Sequence, residues 1–281
     1  MSSRMANIPS VKPETSVRTE LIGLGPAEGL AGVLDIDAPS VGDDLPALWH
    51  WVYLLERPRE SDLSLDGHPK HGIPAPPSPG QLRMFAGGRV FVHSPLQIGA
   101  TATRTTRIIR TTEKEGKSGL LTFITVRSDI RQDDRLAIID ERDIVYRLPE
   151  STLPETSKKD ASPAPAGSLI LDVSSVMLFR FSARTYNAHR IHYYSYYAKQ
   201  QDGYAGLVIH GPLQALLMGE LFRRAGEAMV GHEFAYRLVA PAVGEQRLTA
   251  MRKPEESRIS AQVRDAAGTI TATSNLRPWS T

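Results

Sequence analysis

His189 and His192 stand three residues apart in the stretch "NAHRIHYYSYY" (Asn187–Tyr197), and His210 follows eighteen residues after the second in "VIHGPLQALL". Imidazole is the side chain whose ordinary pKa lies nearest neutrality, so three in one short stretch invite chemistry. They could ligate a metal, the tyrosines beside them could stack on nucleic-acid bases, or one histidine could act as acid and base on a small substrate. A zinc site needs a third ligand, and the neighbouring sequence offers neither thiolate nor histidine at ligand spacing. The i, i+3 pair would also need a helix, where β-branched and aromatic residues precede it. Tyr193, Tyr194, Tyr196 and Tyr197 have few basic neighbours, and the chain carries 33 basic against 31 acidic residues, net +2. That balance gives no field for DNA, RNA or an anionic membrane. The plain reading of these tyrosines is half-buried packing at the start of a helix.

Acid–base work is the reading that uses the most residues. Asn187 lies five residues before His192. Its amide can orient a water through one donor and one acceptor while the histidine takes a proton. His210–Gly211–Pro212 then sets a glycine N–H at the positive end of the following helix, where a developing oxyanion or enolate is stabilised. An ordinary helix start explains Gly211 equally well on these grounds alone. His189 reads as structural, hydrogen-bonded to backbone, and His93 in "FVHSPL" as near the cleft without a catalytic part. Arg180, Arg184, Arg190 and Lys199 read as solvated charge. Arg190, between the two histidines, is singled out for a phosphate or carboxylate of the substrate.

The elements that must position these groups fall into two similar sets. "SVGDDLPALWHWVYLLE" carries Leu45, Leu48, Trp51, Val52 and Leu55 at helical spacing behind a polar start. Strand-like runs follow it: "GRVFVHSPL", "ATATRTTRIIRTTEK", "LLTFITVRSDIRQ" and "RLAIIDERDIVYR", with "KEGKSG" as a hairpin turn. In the second set "SLILDVSSVMLFRFSA" reads as strand. "GPLQALLMGELFRRAGEAM" reads as helix, with Pro212 in the first turn where its missing N–H is harmless. "EFAYRLVAPA", "QRLTAMRK" and "SRISAQVRDAAGTITATSN" close the chain as strands, the last folded on a "DAAG" turn. Consecutive strands around one helix predict an α+β fold in which an antiparallel sheet wraps a long helix, twice over.

Pro74, Pro76, Pro77 and Pro79 mark His71–Gln81 as an irregular loop. Pro149–Gly167 has the composition of an exposed linker. The expected organisation is a partly ordered segment over 1–40, a first unit over 41–148, the linker over 149–167 and a second unit over 168–281. The absence of cysteine excludes disulfides, thiolate zinc sites and a cysteine nucleophile. It also fits a reducing compartment. No run approaches the roughly 18–20 apolar residues of a membrane span. The start of the chain lacks an apolar signal core.

"FSARTYNAHRIHYYSYYA" followed by "GYAGLVIHGPLQALL" resembles the catalytic segment and central helix of MaoC-like hot-dog hydratases and dehydratases. The likeness is closest to the double hot-dog branch that holds the mesaconyl-C4-CoA (3-methylfumaryl-CoA) hydratases and type 2 hydroxyacyl-thioester dehydratases. "PPSPGQLRMFAGGRVFVHSPLQIGATATRTTRI", "EKEGKSGLLTFITVRSDI" and "ERDIVYR" resemble the branch's non-catalytic repeat. The resemblance implies reversible addition of water to an enoyl thioester, with coenzyme A as part of the substrate and no metal or redox cofactor. It puts His192 on the catalytic histidine, Asn187 on the residue five before it, and Gly211, next to His210, on the glycine that polarises the thioester carbonyl. The branch reads "HYD" where this chain has "HYY", so Tyr194 replaces an acidic group and offers the acyl chain apolar surface or a hydroxyl. An acyl-CoA substrate, an acyl-carrier-protein thioester as variant, and a homodimer are the implied partners. The cytoplasm, or a mitochondrial matrix in a eukaryote, is the implied place. The alternatives are a fatty-acid or polyketide-type hydroxyacyl-thioester dehydratase and a non-catalytic acyl-thioester binding protein. Thioester hydrolysis is a poor third, because it needs a carboxylate where Asn187 stands.

Overall fold

The computed structural model describes residues 15–74, 81–116, 119–147, 163–253 and 259–279. Ten strands form one antiparallel sheet in the order β1-β3-β4-β5-β2-β7-β10-β9-β8-β6. The first half supplies β1 (Thr15–Leu21), β2 (Leu82–Val92), β3 (Thr101–Gly116), β4 (Gly119–Gln132) and β5 (Arg135–Arg147). The second supplies β6 (Leu169–Val173), β7 (His232–Leu238), β8 (Gln246–Arg252), β9 (Ile259–Arg264) and β10 (Ile270–Pro278). The halves join where β2 pairs with β7, from Gly87 opposite Arg237 to Val92 opposite His232. Apart from "SLILDVSSVMLFRFSA", of which only the start is strand, each strand run contributes to this sheet. The DAAG turn closes as expected, with Asp265 Oδ1 accepting from the Thr269 N–H at 2.7 Å.

Among the described residues four α-helices accompany the sheet: α1 (Leu24–Leu34), α2 (Ser175–Arg184), α3 (Ser195–Gln200) and α4 (Gly211–Arg224). Helix α4 is the long helix the sequence predicts, and each residue from Leu213 to Phe222 is buried. It packs on β6, β8, β9 and β10 and reaches across to β2. Its polar members are satisfied inside: Gln214 Oε1 accepts from Thr271 Oγ1 at 2.6 Å and Glu220 Oε1 from Trp49 Nε1 at 2.9 Å.

Three expectations need correction. The helix expected over residues 45–55 is only a 3₁₀ turn at Trp49–Val52, because Leu48 (φ 71°) and Leu54 (φ 55°) are both left-handed. Trp49 turns to Glu220, while Trp51 Nε1 donates to Asp140 at 2.9 Å. These partners lie on different elements, and burying both indoles outweighs helical periodicity. Secondly, the segment expected to be partly ordered over 1–40 carries regular structure over 15–34: β1 pairs with β3, and α1 buries Ala27, Leu30, Ala31, Val33 and Leu34. Residues 1–14 lie outside the described ones. Thirdly, "SLILDVSSVMLFRFSA" is strand only to Val173. Ser174 then caps α2 by accepting from the Met177 N–H at 3.2 Å, and Leu178 and Phe181 turn inward. Most of the proline loop (75–80) and of the linker (149–162) lies outside the described residues.

Candidate active site

The stretch between α2 and α4 is irregular, and that irregularity aims its side chains. Asn187 folds back on the end of α2, its N–H donating to the Ser182 carbonyl at 2.9 Å. Arg190–His192 makes one 3₁₀ turn, Tyr193 and Tyr194 follow it, and α3 carries Tyr196 and Tyr197. The chain then returns beside itself: Val208 N–H donates to the Ile191 carbonyl at 2.9 Å, and Ile209 N–H to the Ala242 carbonyl at 2.8 Å. This return brings His210 under His192. Their rings stack at 3.7 Å between centroids, 18° apart.

His192 is buried, and its Nδ1 lies 2.7 Å from the Val208 carbonyl. A carbonyl only accepts, so Nδ1 carries the proton and Nε2 keeps its lone pair. Burial pushes the ring's pKa down to about 4, helped by nearby His68 and opposed by the Val208 bond. The neutral, base-competent form therefore dominates at pH 7. His210 is more deeply enclosed, with Nε2 2.9 Å from Ser182 Oγ and Phe181 edge-on at 4.9 Å. Burial, then His192 and His189, hold its pKa well below the ordinary value. His210 thus stacks against His192 as a neutral ring.

Gly211 follows at once as the first residue of α4, and its N–H has no acceptor among the described residues. A Cβ there would run into Leu238 Cδ1 and lie 3.1 Å from Phe85 Cδ1. Glycine leaves the helix mouth open between those two side chains. Asn187 is half-buried, and its Oδ1 accepts from the His189 N–H at 3.0 Å. That bond fixes the amide's orientation and leaves Nδ2 as the free donor. Arg190 stands with its guanidinium 5.9 Å from the centre of the Tyr197 ring. Tyr194 is exposed, 6.1 Å ring to ring from Tyr196, and among the described residues it does not touch the histidines. Of the six expected site residues, His192, His210 and Gly211 form one cluster, Asn187 lies on its approach, and Arg190 and Tyr194 lie outside it.

The site also draws on the first half, which no spacing in the sequence reveals. The loop Ser64–His68 docks on residues 188–190: Arg190 N–H donates to the Asp66 carbonyl at 2.9 Å. The place of a Cβ on Gly67 (φ 91°) is taken by the Ala188 carbonyl. Asp66 accepts from Ser64 Oγ, from the His68 N–H (2.9 Å) and from His68 Nδ1 (2.9 Å). Burial opposes the charge, yet these His68 and Ser64 bonds hold the carboxyl well below the usual range. The His68 ring lies 4.1 Å from that of His189, which is edge-on to His192 at 5.5 Å. His189 is therefore more than a backbone-bonded strut. Burial, then His68 and His192, push its pKa down.

Asp66, His68 and His189 each present one ligand atom within 4.8 Å of the others. Only His189 of the histidine pair belongs to this set, and its two partners come from far away in the chain; the three could hold a divalent ion of zinc type. Both Asp66 oxygens already accept hydrogen bonds, an arrangement that suits orienting His68 at least as well as binding metal. His93, expected near the cleft, lies beyond the opposite end of β2 from Phe85, edge-on to Trp279 at 4.4 Å.

A sequence profile of the family Htd2, hydroxyacyl-thioester dehydratase type 2, matches residues 48–244. The mesaconyl-C(4)-CoA hydratase of Chloroflexus aurantiacus is 43% identical over 245 residues, 85% of this chain and 86% of that protein. Among solved structures, HtdX of Mycobacterium tuberculosis superposes with a TM-score of 0.67 at 13% identity, over 95% of this chain and 100% of the other. A second Mycobacterium tuberculosis protein, described as a double hotdog fold, superposes at 0.53 with 13% identity over 95% of each chain. At such identities the structures establish the fold alone, a double hot dog. Kinship rests on the sequence matches.

Proposed function

This chain belongs to the hydroxyacyl-thioester dehydratase type 2 family, and on that premise we propose that His192 is the acid–base group of its hydration reaction. The protein is a hydro-lyase that adds water to, or removes it from, a CoA thioester. One observation supports the residue assignment above the rest: His192 is locked as the Nδ1–H tautomer, with Nε2 free, directly over the His210–Gly211 helix start.

Water held by Asn187 Nδ2 attacks the β-carbon of the enoyl thioester while His192 Nε2 takes its proton. The electron pair of the double bond moves onto the thioester oxygen, forming an enolate. The Gly211 N–H and the positive end of α4 stabilise that oxygen. The imidazolium then gives its proton to the α-carbon, and the enolate collapses to the 3-hydroxyacyl thioester. Atoms and charge balance with one residue acting as base and then acid. His210 keeps the ring in place and stays neutral, so the new positive charge has no cationic neighbour there.

The substrate reading is mesaconyl-C4-CoA hydrated to citramalyl-CoA, supported by the 43% identity to the Chloroflexus aurantiacus enzyme. In this compound the β-carbon carries a methyl group and a free carboxylate. The second reading is a hydroxyacyl-thioester dehydratase acting on longer chains. The exposed Tyr194 and Tyr196, which could cover an apolar tail, favour it. Cytoplasmic residence and a homodimer complete the proposal. Among the described residues no helix is long and apolar enough to cross a membrane.

The test is incubation with mesaconyl-C4-CoA, crotonyl-CoA and a medium-chain enoyl-CoA, with mass spectrometry for the gain of one water. The expected kcat/KM is highest for mesaconyl-C4-CoA. A medium-chain preference selects the second reading, and no gain of water on any of the three overturns both.

A further inference from the structure

We propose that Arg83 forms a carboxylate-binding subsite, which meets the free carboxylate of a short dicarboxylic acyl group while its thioester oxygen sits at Gly211. This rests on the hydratase reading and names the group that selects its substrate.

Arg83 and Phe85 lie on the same face of β2, opposite Tyr146 and Ile144 of β5. Phe85 packs with those two residues, while Met84 between them points outward. The β2 bulge comes only after Phe85, so alternation holds over this stretch. Phe85 is also the side chain that lies against Gly211 at the mouth of α4. Arg83 therefore stands one same-face step along the strand from the expected oxyanion position, about 7 Å of backbone. A four-carbon acyl chain followed by an arginine side chain covers that distance.

The guanidinium has neighbours but no partner. Among the described residues Arg83 makes no hydrogen bond or ion pair, although it is half-buried and burial pushes its pKa down. Asp66 and Tyr146 are near enough to favour the charge, and Arg142 opposes it. Asp66 does not satisfy it: among the described residues its oxygens accept from Ser64 and His68, not from Arg83. Arg83 is among the charges that lower the His189 pKa, so it lies within electrostatic reach of the histidine row. A sheltered cation without a partner is costly, and an anion that arrives with the substrate removes the cost. The planar fork suits a carboxylate.

Arg190, the arginine the sequence singled out, is placed differently. Its backbone ties Asp66 to the catalytic turn and its guanidinium lies over Tyr197. The two arginines make opposite predictions.

The experiment uses the full chain and the variants Arg83→Gln, Arg83→Lys and Arg190→Gln. Two readouts are taken: kcat/KM for mesaconyl-C4-CoA against crotonyl-CoA, and calorimetric Kd for succinyl-CoA against butyryl-CoA, which cannot be hydrated. In Arg83→Gln the preference for the dicarboxylic member of each pair should fall on the order of 100-fold, with the crotonyl-CoA rate changing only a few-fold. Arg83→Lys should recover part of it, and Arg190→Gln should shift the preference far less. Equal losses on both members of a pair would assign Arg83 to the CoA phosphates or to folding and overturn the proposal. So would an unchanged preference, or a larger effect from Arg190→Gln. If the native protein hydrates no enoyl-CoA yet binds succinyl-CoA through Arg83, the hydratase reading fails and the subsite stands.

Discussion

His50 in the first half and His192 in the second are both buried, and burial pushes both ring pKa values down, yet they are wired for opposite tasks. His50 Nε2 lies 3.3 Å from Asp140 Oδ2, which also accepts from Trp51 Nε1 at 2.9 Å and from Arg142 Nη2 at 2.8 Å. With Arg142 Nε at 3.0 Å, four donor N–H groups converge in a polar knot on that one buried oxygen, and His50 Nδ1 is sealed among side chains. His192 instead has one nitrogen tied to a carbonyl, the other free, and no carboxylate in contact with its ring among the described residues. The first arrangement holds backbone together. The second holds a base ready. A buried histidine is thus identified by whether its second nitrogen is open or sealed, more than by its burial.

Substitution at each centre separates the two tasks. His192→Ala should lower kcat/KM by about 10²–10⁴-fold while the melting temperature moves by a few degrees at most. Comparable turnover in this variant would remove His192 from the mechanism. Asp140→Ala should do the reverse. It leaves His50, Trp51 and Arg142 without their acceptor, and breaking such a knot typically costs 3–5 kcal/mol. Arg142 keeps 40% of its side chain exposed, so the lower figure, about 3 kcal/mol, applies. For a chain of this size that is a fall in Tm of roughly 5 °C, read by calorimetry. The activity of the folded fraction should stay within a few-fold of the native value. A lost activity with unchanged melting would make Asp140 part of the chemistry.

The smallest expected effect is in pH. His192 must be neutral to act, so the acid limb of kcat/KM should fall as pH drops through about 4. The same depressed value links to stability. Between the unfolded histidine's ordinary 6.5 and the folded value of about 4, the unfolded chain binds more protons, so stability falls as pH falls across that window. Removing His192 should flatten its share of this slope, visible as melting curves at pH 7 and pH 5. An acid limb near pH 6.5 instead would mean that the ring is solvated in the working enzyme.

Much of this architecture is legible in the sequence because its causes are local. The strands announce themselves by alternation, α4 by its apolar repeat behind Pro212, and His192, His210 and Gly211 by lying within twenty residues of one another. What was missed has distant causes. Helix α1 carries Gly25, Gly29 and Gly32, which weaken any helix signal. Gly29 and Gly32 make room for Arg184 and Arg180 of α2, a reason visible only once the two helices meet. Trp49 and Trp51 sit in a helix-like pattern, yet their N–H groups need partners on α4 and β5. Asp66, His68 and Arg83 reach the site from more than a hundred residues away in the chain. Nothing in their own neighbourhood marks them, and a lone Asp-x-His or a strand arginine is common. The double hot-dog resemblance carried the fold. It did not carry these three residues.

The tight seat of Gly67 beneath the Ala188 carbonyl has a consequence for how such a chain can change over generations. A repeat freed from catalysis by duplication would ordinarily drift, lose a strand or be discarded. Here one methyl group at position 67 would press on the peptide next to His189 and, on the proposed mechanism, be felt as an enzymatic defect, although it arises in the half without the proposed acid–base histidine. The two copies have become one inheritance, and selection on the reaction reaches into both.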